Sequence, residues 1–561
     1  PIWLQIQYCC LDGHGLMPFR GEASRLTRAS SYTRVRNAGF FWGASAAEIM
    51  VCFGVLFGKE ATPECSARAD VQQADIFISH TWSSGRWAKY LAMCMHLNLG
   101  KAVFCSIASW LLMIAIMAGR SGIGGLGGSR LLLPFFVYVP MFMFFVAFFF
   151  GHKFCEPSRV YWFDKLCVDQ ADEALKRQQV RCLPVFVANS SEMLVLWDDT
   201  YFQRLWCNME VACFIKHADP ERIRFLPLWI APWLLSSMLL DLMSATLYEA
   251  LEVSFPNWSI AWITQIETTA SALGSPPELL RFFAAAFVWL FSGLCYLPSS
   301  VPSYFSFRAK LRSHTLLLEQ MSSFRVQEAK CTDENDRRLI EAQVVELYGD
   351  TGKSDEEEVL EHQHELERFN SYIQGPLRKV VLKSVGDELS VPYHLCLIAY
   401  LPMTFYSAVN ILGCDNGPCM TSVEEGGFSS LETYFIFQTV AWVLCLLLAF
   451  PMTYPTLLFC LQKLAPSRSS DDSTSLFSSC AASIFCFVAF AYGYVLGACI
   501  WGIVFCFEEG VTVIRLVVAV IIFSSFLFQT YVTFLKQRGD QEKKYMEADE
   551  EENGTRMRLA D

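Results

Sequence analysis

Eight stretches of about 20 residues carry almost no charge, and nothing else restricts the folding of this 561-residue chain as strongly. A chain crossing a bilayer must satisfy its own backbone N–H and C=O groups, and a helix of roughly 20 apolar residues does so over a hydrocarbon core of about 30 Å. The stretches are Ala102–Gly119, Leu131–His152, Phe225–Leu240, Phe282–Phe307, Val391–Cys414, Thr433–Gln462, a core within Leu476–Phe507, and Leu516–Leu535. The first two flank the glycine-rich turn SGIGGLGG and read as a transmembrane hairpin. Asp241 follows the third, so that segment reads as either a crossing or a re-entrant stretch. Composition agrees: 53% of residues are hydrophobic, 18% are charged and mean hydropathy is +0.31, too apolar for an ordinary soluble protein of this size. The lipid bilayer is the expected partner.

Lysine and arginine set the expected sidedness. None occurs between Arg224 and Arg281 or within Asp415–Glu432, whereas Arg308–Arg312, Pro376–Lys383, Lys463 with Arg468, and Lys536–Lys544 are basic. Eight spans with both termini and the soluble parts cytosolic satisfy most of this pattern, although Arg120 and Arg130 run against it. Which membrane is left open. Asn257-Trp-Ser259 is then an external glycosylation acceptor. The net charge of −12 comes largely from acidic runs at 355–365 and 542–552, which excludes nucleic-acid binding. Of the 22 cysteines, only Cys414 and Cys419, in CDNGPC, are placed for a disulfide. No Cys/His set has metal-ligand spacing, so no metal site is expected, including at His362 and His364. The chain opens on Pro1 rather than Met and carries no recognisable signal peptide, so an incomplete N-terminus is expected.

The polar sequence on both sides of the hairpin reads as one domain. ADIFISH favours a strand, and SSGRWAKYLAMCMHLN a helix opening from a serine cap. RVYWFDKLCVDQ, EMLVLW and RIRFLPLW supply three more strands, and ADEALKRQQVRCLPVFVANSS and YFQRLWCNMEVACFIKHA two more helices. Alternating strands and helices imply a parallel sheet, with ligands gathered where the strands end. The functional residues are therefore expected at Ser79–Trp82, Asp164–Gln170 and Asp198–Glu210. The organisation expected is an N-terminal extension (1–70), a first part of the domain (71–100), the hairpin (101–152) and a second part (153–229). Two membrane segments follow (225–307), then a cytosolic helical region (308–390), four more spans (391–535) and an acidic tail (536–561). In the helical region Val359, Leu366, Phe369 and Ile373 mark an amphipathic helix, to be packed on its own neighbours in preference to a partner.

Three segments in order, DIFISH, YWFDKLCVDQ and MLVLWDDTYFQRLWCNME, resemble the Toll/interleukin receptor (TIR) domain, in particular the TIR-like domains of membrane proteins in unicellular eukaryotes. The resemblance covers Ala74–Asn98 and Lys153–Trp229. It implies an α/β, flavodoxin-like fold with a parallel sheet, interrupted here by the transmembrane hairpin and joined to an α-helical multi-pass membrane region. It also implies signalling by self-association or partner binding, with self-association through the loop near Val168–Arg177. In catalytic members of that family the glutamate of WCxxE is essential for splitting NAD into nicotinamide and an ADP-ribose product; here that residue is Glu210. Nicotinamide leaves as a neutral molecule from a cationic ring, so a carboxylate near the ribose suffices to stabilise the developing oxocarbenium charge. Trp206 and Tyr201 are expected to wall the site, with Ser79, His80 and Trp82 opposite and Asp164 and Lys165 near the phosphates. NAD would be a substrate, and no cofactor is required. The chain departs from the family in its hairpin insertion and in lacking a final strand-helix unit. A helix glutamate held by the helix dipole or by Arg204 is the plainer reading of Glu210. A transporter or channel with a regulatory TIR-like domain is a further reading, for which Asp241 and Arg515 are the only ionisable candidates, both expected near an interface.

Overall fold

The computed structural model describes residues 39–58, 69–71, 73–121, 133–154, 159–169, 171–255, 293–331, 334–348, 358–386, 388–412, 430–464, 476–507 and 510–536, with isolated positions besides. Most of these residues are helical, and they include one four-stranded parallel sheet. The Cys414–Cys419 pair, the Asn257–Ser259 acceptor and the SGIGGLGG turn lie almost wholly outside them.

The strands are β1 (Trp42–Gly43), β2 (Ala69–Asp70), β3 (Ala74–His80), β4 (Tyr161–Trp162), β5 (Ser190–Trp197) and β6 (Ile223–Pro227). β1 and β2 form a short antiparallel pair, and the other four lie side by side in the order β4-β3-β5-β6. Counted along their own sequence this is 2-1-3-4, the order in which a flavodoxin-like doubly wound sheet begins. β3 is central, so Ile76, Phe77 and Ile78 are buried on both faces, as its unbroken apolar run requires. Phe77 stacks on Trp162 of the neighbouring strand, with ring centroids 4.6 Å apart.

Helix α1 (Arg86–Ser121) follows β3 and runs unbroken through the boundary expected near residue 100. Its first half buries Tyr90, Ala92, Met93 and Cys94 with the sheet's core, while Phe104, Leu111 and Leu112 in its second half are exposed. One helix is thus both a layer of the α/β domain and an apolar rod leaving it. The residue before it is Gly85, and the Ser84 hydroxyl turns back to the Thr81 carbonyl at 2.9 Å instead of capping the helix. Helix α2 (Val139–Phe150) returns to α1, where the Asn98 amide donates to the Phe148 carbonyl at 2.8 Å. Between β4 and β5 the expected single helix is two, α3 (Glu173–Arg181) and α4 (Leu183–Ala188). Pro184 lacks an N–H and disfavours helical geometry before it, so the helix restarts there. Helix α5 (Leu205–His217) precedes β6, and α6 (Ile230–Ser254) follows it.

Two segments extend the domain beyond its expected bounds. Residues 39–58 are part of it rather than an extension. Ala44 exchanges backbone hydrogen bonds of 2.9 and 2.8 Å with Tyr161, closing the β4 edge. On the other side, α7 (Ser300–Ser322), α8 (Glu334–Tyr348), α9 (Glu358–Tyr372) and α10 (Arg378–Val385) pack around α5 and β6. They cover the edge that a further strand-helix unit would have covered, which an open sheet needs. Leu366, Phe369 and Ile373 are buried there, so the amphipathic helix does pack on its own neighbours. Lys330 pairs with the start of α5: its N–H donates to Gln203 O at 2.7 Å, and its carbonyl accepts from Leu205 N at 3.1 Å.

Beyond the sheet lie α11 (Tyr393–Ala399), α12 (Leu401–Leu412), α13 (Leu431–Leu444), α14 (Thr453–Leu464), α15 (Leu476–Cys506) and α16 (Val513–Tyr531). Among the described residues, six helical stretches are long and apolar enough to cross a membrane: Arg86–Met117, Pro134–Lys153, Ile230–Leu251, Leu431–Lys463, Val488–Cys506 and Val513–Leu535. The segment placed at Phe225–Leu240 begins later, because Phe225–Pro227 belong to β6. Val391–Cys414 is two helices, broken at Tyr400 ahead of Pro402. Most of the first half of Phe282–Phe307 lies outside the described residues. Val513, Ile514 and Phe528 on α16 are at least two-thirds exposed, an apolar surface suited to lipid.

Candidate functional site

Because the four strands are parallel, their C-terminal ends share one edge of the sheet, and the loops leaving them meet there. Ser79 and His80 close β3, and alternation along the strand sends them to opposite faces. Their partners separate accordingly.

On one face the Ser79 hydroxyl lies 2.5 Å from the Tyr201 hydroxyl and donates to Glu210 Oε2 at 2.5 Å. Tyr201 stands in the short turn after β5, and Glu210 in the second turn of α5. The arrangement permits a relay in which the phenol donates to the serine and the serine to the carboxylate. Burial pushes the Glu210 carboxyl up to about 8, against the Ser79 hydrogen bond, which lowers it; the Asp164 charge adds to the rise. Burial, with Cys207 and Glu210 nearby, also pushes the Tyr201 phenol well above its ordinary value. The phenol therefore stays protonated as a donor.

On the other face Asp164 collects three donors: His80 Nε2 at 3.1 Å, Trp82 Nε1 at 2.6 Å and the Lys165 backbone N–H at 2.7 Å. Burial works to raise the Asp164 carboxyl, but the His80 ring and these hydrogen bonds hold it below the usual range. It is ionised at neutral pH. The other ring nitrogen, His80 Nδ1, faces the Thr81 carbonyl at 3.2 Å. The Lys165 ammonium donates to the Gly58 carbonyl and lies 4.9 Å over the Trp82 ring, tying this turn to the N-terminal segment. Burial lowers its pKa, opposed by Asp164.

Between the two faces, Thr81 joins the loops after β3 and β5 by donating to Asp198 Oδ2 at 2.7 Å. Asp198 Oδ1 also accepts from the backbone and hydroxyl of Thr200, at 2.9 and 3.0 Å. Lys89, on the first turn of α1, is 0% exposed, its ammonium has no hydrogen-bond partner, and it lies within electrostatic reach of Asp164 and Asp198. The next loop residue, Asp199, is held by α7: Ser313 donates to its carboxylate, and Gln320 to its carbonyl at 2.7 Å.

The structure thus brings Ser79, Tyr201 and Glu210 into one cluster, and His80, Trp82, Asp164 and Lys165 into the adjacent one. Trp206, one turn before Glu210, directs its indole N–H to Asp336 of α8 at 3.4 Å. Thr81 falls in the expected stretch Ser79–Trp82, whereas sequence reading passed over Lys89. The signal for Lys89 was its place three and four residues before Ala92 and Met93, on the buried face of α1. Among the described residues no three His, Cys, Asp or Glu side chains are grouped to hold a metal ion. A carboxylate of raised proton affinity beside two hydroxyls, at the ligand edge of a parallel sheet, can bind sugar hydroxyls and stabilise a positive charge that develops next to it. Comparison with family models, with curated proteins and with solved structures finds no match for this chain.

Proposed function

We propose that the chain is a multi-pass membrane protein whose α/β domain is TIR-like, and that this domain cleaves the N-glycosidic bond of NAD with Glu210 as its catalytic carboxylate. The observation that carries the reading is the Tyr201–Ser79–Glu210 cluster at the C-terminal edge of the sheet, with 2.5 Å between each hydroxyl and its neighbour. The six apolar helices support the membrane part.

In this reading the ribose joined to nicotinamide lies against Glu210. The bond from the anomeric carbon to the ring nitrogen breaks with its electron pair going to nitrogen, so nicotinamide leaves neutral and needs no general acid. The oxocarbenium charge develops beside the Glu210 carboxylate, which stabilises this transition state more than it stabilises the bound substrate. Water then adds to the anomeric carbon and releases a proton to solvent, giving ADP-ribose. Ser79 and Tyr201 orient the carboxylate; Asp164, fixed by His80 and Trp82, shapes the neighbouring face. The free-enzyme carboxyl at about 8 is protonated at neutral pH, and a cationic substrate favours its ionisation.

Self-association is the second reading, favoured by the turn after β4. There Ala171, Asp172, Ala174 and Arg177 are exposed, whereas α5 is covered by α8. Chromatography of NAD incubated with the detergent-purified chain separates the two. Equal release of nicotinamide and ADP-ribose, lost in Glu210→Ala, is expected. A chain that associates through 171–177 and releases neither product would make the domain a scaffold.

A further inference from the structure

Helix α6 carries a polar stripe on its buried face. Ser237, Asp241 and Ser244 recur at helical spacing, and each is at most 2% exposed. Asp241 lies halfway along the apolar span Ile230–Leu251, about 15 Å from either end by helical rise. It therefore stands near the midplane of any bilayer this helix crosses, and not at an interface as its sequence position had implied. Arg515 differs: it lies in the first turn of α16 and donates to the Gly510 carbonyl at 2.9 Å, at the end of its span.

The hydroxyls around Asp241 are not used as helix hydroxyls ordinarily are. Elsewhere on α6, Ser236 donates to Pro232 O at 2.5 Å, Thr246 to Leu242 O at 2.8 Å and Ser254 to Ala250 O at 2.7 Å, each to the carbonyl four residues back. Ser237 and Ser244 make no such bond, and their oxygens are buried without a hydrogen-bond partner. The Tyr400 hydroxyl is a third. It lies close to the hydroxyls of Thr453 and Tyr454 but makes no hydrogen bond of ordinary length, and the Asp241 carboxylate is within electrostatic reach of both phenols. Unsatisfied polar groups of this kind are rare in a folded interior, and three round one carboxylate point to a ligand.

Two interrupted helices supply this environment. Tyr400 is the break between α11 and α12. Thr453 and Tyr454 follow the π and 3-10 turns Cys445–Ala449 and Phe450–Met452, where Pro451 and Pro455 disturb the long helix. Tyr400 and Tyr454 pack with ring centroids 5.4 Å apart, and Trp233 of α6 stands 5.1 Å from Tyr454. Broken helices meeting a buried carboxylate at mid-depth are how helical membrane proteins present oxygen atoms to ions.

Every donor here is an oxygen, which selects a hard cation, and a single carboxylate matches a single positive charge at least cost in an apolar interior. We propose that Asp241, with Ser237, Ser244 and Tyr400, binds a monovalent alkali cation within the helix bundle. The proposal is independent of the chemistry assigned to Glu210.

The test is thermal unfolding of the purified full chain in lipid nanodiscs, in NaCl, KCl or choline chloride at equal ionic strength. Sodium or potassium raises Tm over choline in a saturable way, and Asp241→Asn loses that rise while keeping the choline Tm. Tyr400→Phe retains the ring packing and requires several-fold more salt for the same rise. Should Asp241→Asn fail to fold, Tyr400→Phe and Ser237→Ala decide, and an unaltered cation response in both overturns the proposal. So does a wild-type chain indifferent to both cations, or one that responds to pH alone, as a simple protonation site would.

Discussion

The Ser79 hydrogen bond opposes burial at Glu210, so removing it should show as a displaced pH profile. In the proposed mechanism, activity requires the carboxylate. In wild type, kcat/KM should therefore climb about tenfold per pH unit below about 8 and level off above it. A hydrogen bond to a charged group contributes about 1.5–3 kcal/mol, and one pKa unit corresponds to about 1.4 kcal/mol, so Ser79→Ala moves the limb upward by roughly one to two units. With a shift of about one unit, the ionised fraction at pH 7.5 falls roughly eightfold. The activity lost at pH 7.5 should return as pH rises, because the substitution leaves Glu210 in place. The assay is nicotinamide release at limiting NAD across pH 6 to about 10. The reasoning is refuted if the Ser79→Ala limb coincides with wild type, if it moves to lower pH, or if the loss is the same at every pH.

Glu210 should also weaken the fold. Its folded carboxyl, at about 8, lies above the ordinary 4.5, so the folded state holds a proton that the unfolded state has released, and stability falls as pH rises between those values. Glu210→Gln should thus be more stable than wild type at pH 8 by on the order of 4 kcal/mol, with the difference vanishing near pH 4.5 in paired denaturation curves. Lys89→Met replaces a buried ammonium with an apolar side chain of similar length; a rise in stability of roughly 1–3 kcal/mol with reduced nicotinamide release would mark Lys89 as kept for the site, while unchanged activity would remove it from the account. At Gly493 an added Cβ would stand 2.2 Å from Thr453 Oγ1, so Gly493→Ala should cost about 2 kcal/mol. Thr453→Ala in the same chain should recover most of that loss, because the next nearest Thr453 atom is 3.5 Å away.

Local pattern carried much of the domain. The β3 and β5 runs, the acidic turn after β4 and the glutamate of α5 were legible because a buried parallel strand must be apolar and its ligand edge polar. The parallel sheet expected from the alternation of strands and helices is present, in the order 2-1-3-4. The covers of the sheet edges were not legible, since residues 39–58 and α7 to α10 are tied to it by contacts that leave no periodic mark, such as Ala44 on Tyr161 and Lys330 on Gln203. Hydropathy likewise could not separate β6 from α6, because Phe225, Leu226 and Pro227 are as apolar in a strand as in a span. The depth of Asp241 was hidden for the same reason: the window Phe225–Leu240 placed it just past a helix that in fact runs to Ser254.

The central claim is tested most directly by nicotinamide release from NAD by the membrane-reconstituted chain and by Glu210→Gln at matched folding and amount. The account predicts steady release by wild type and its loss in the variant. Equal release by both, or none from a folded wild type across pH 7 to 9, would contradict it.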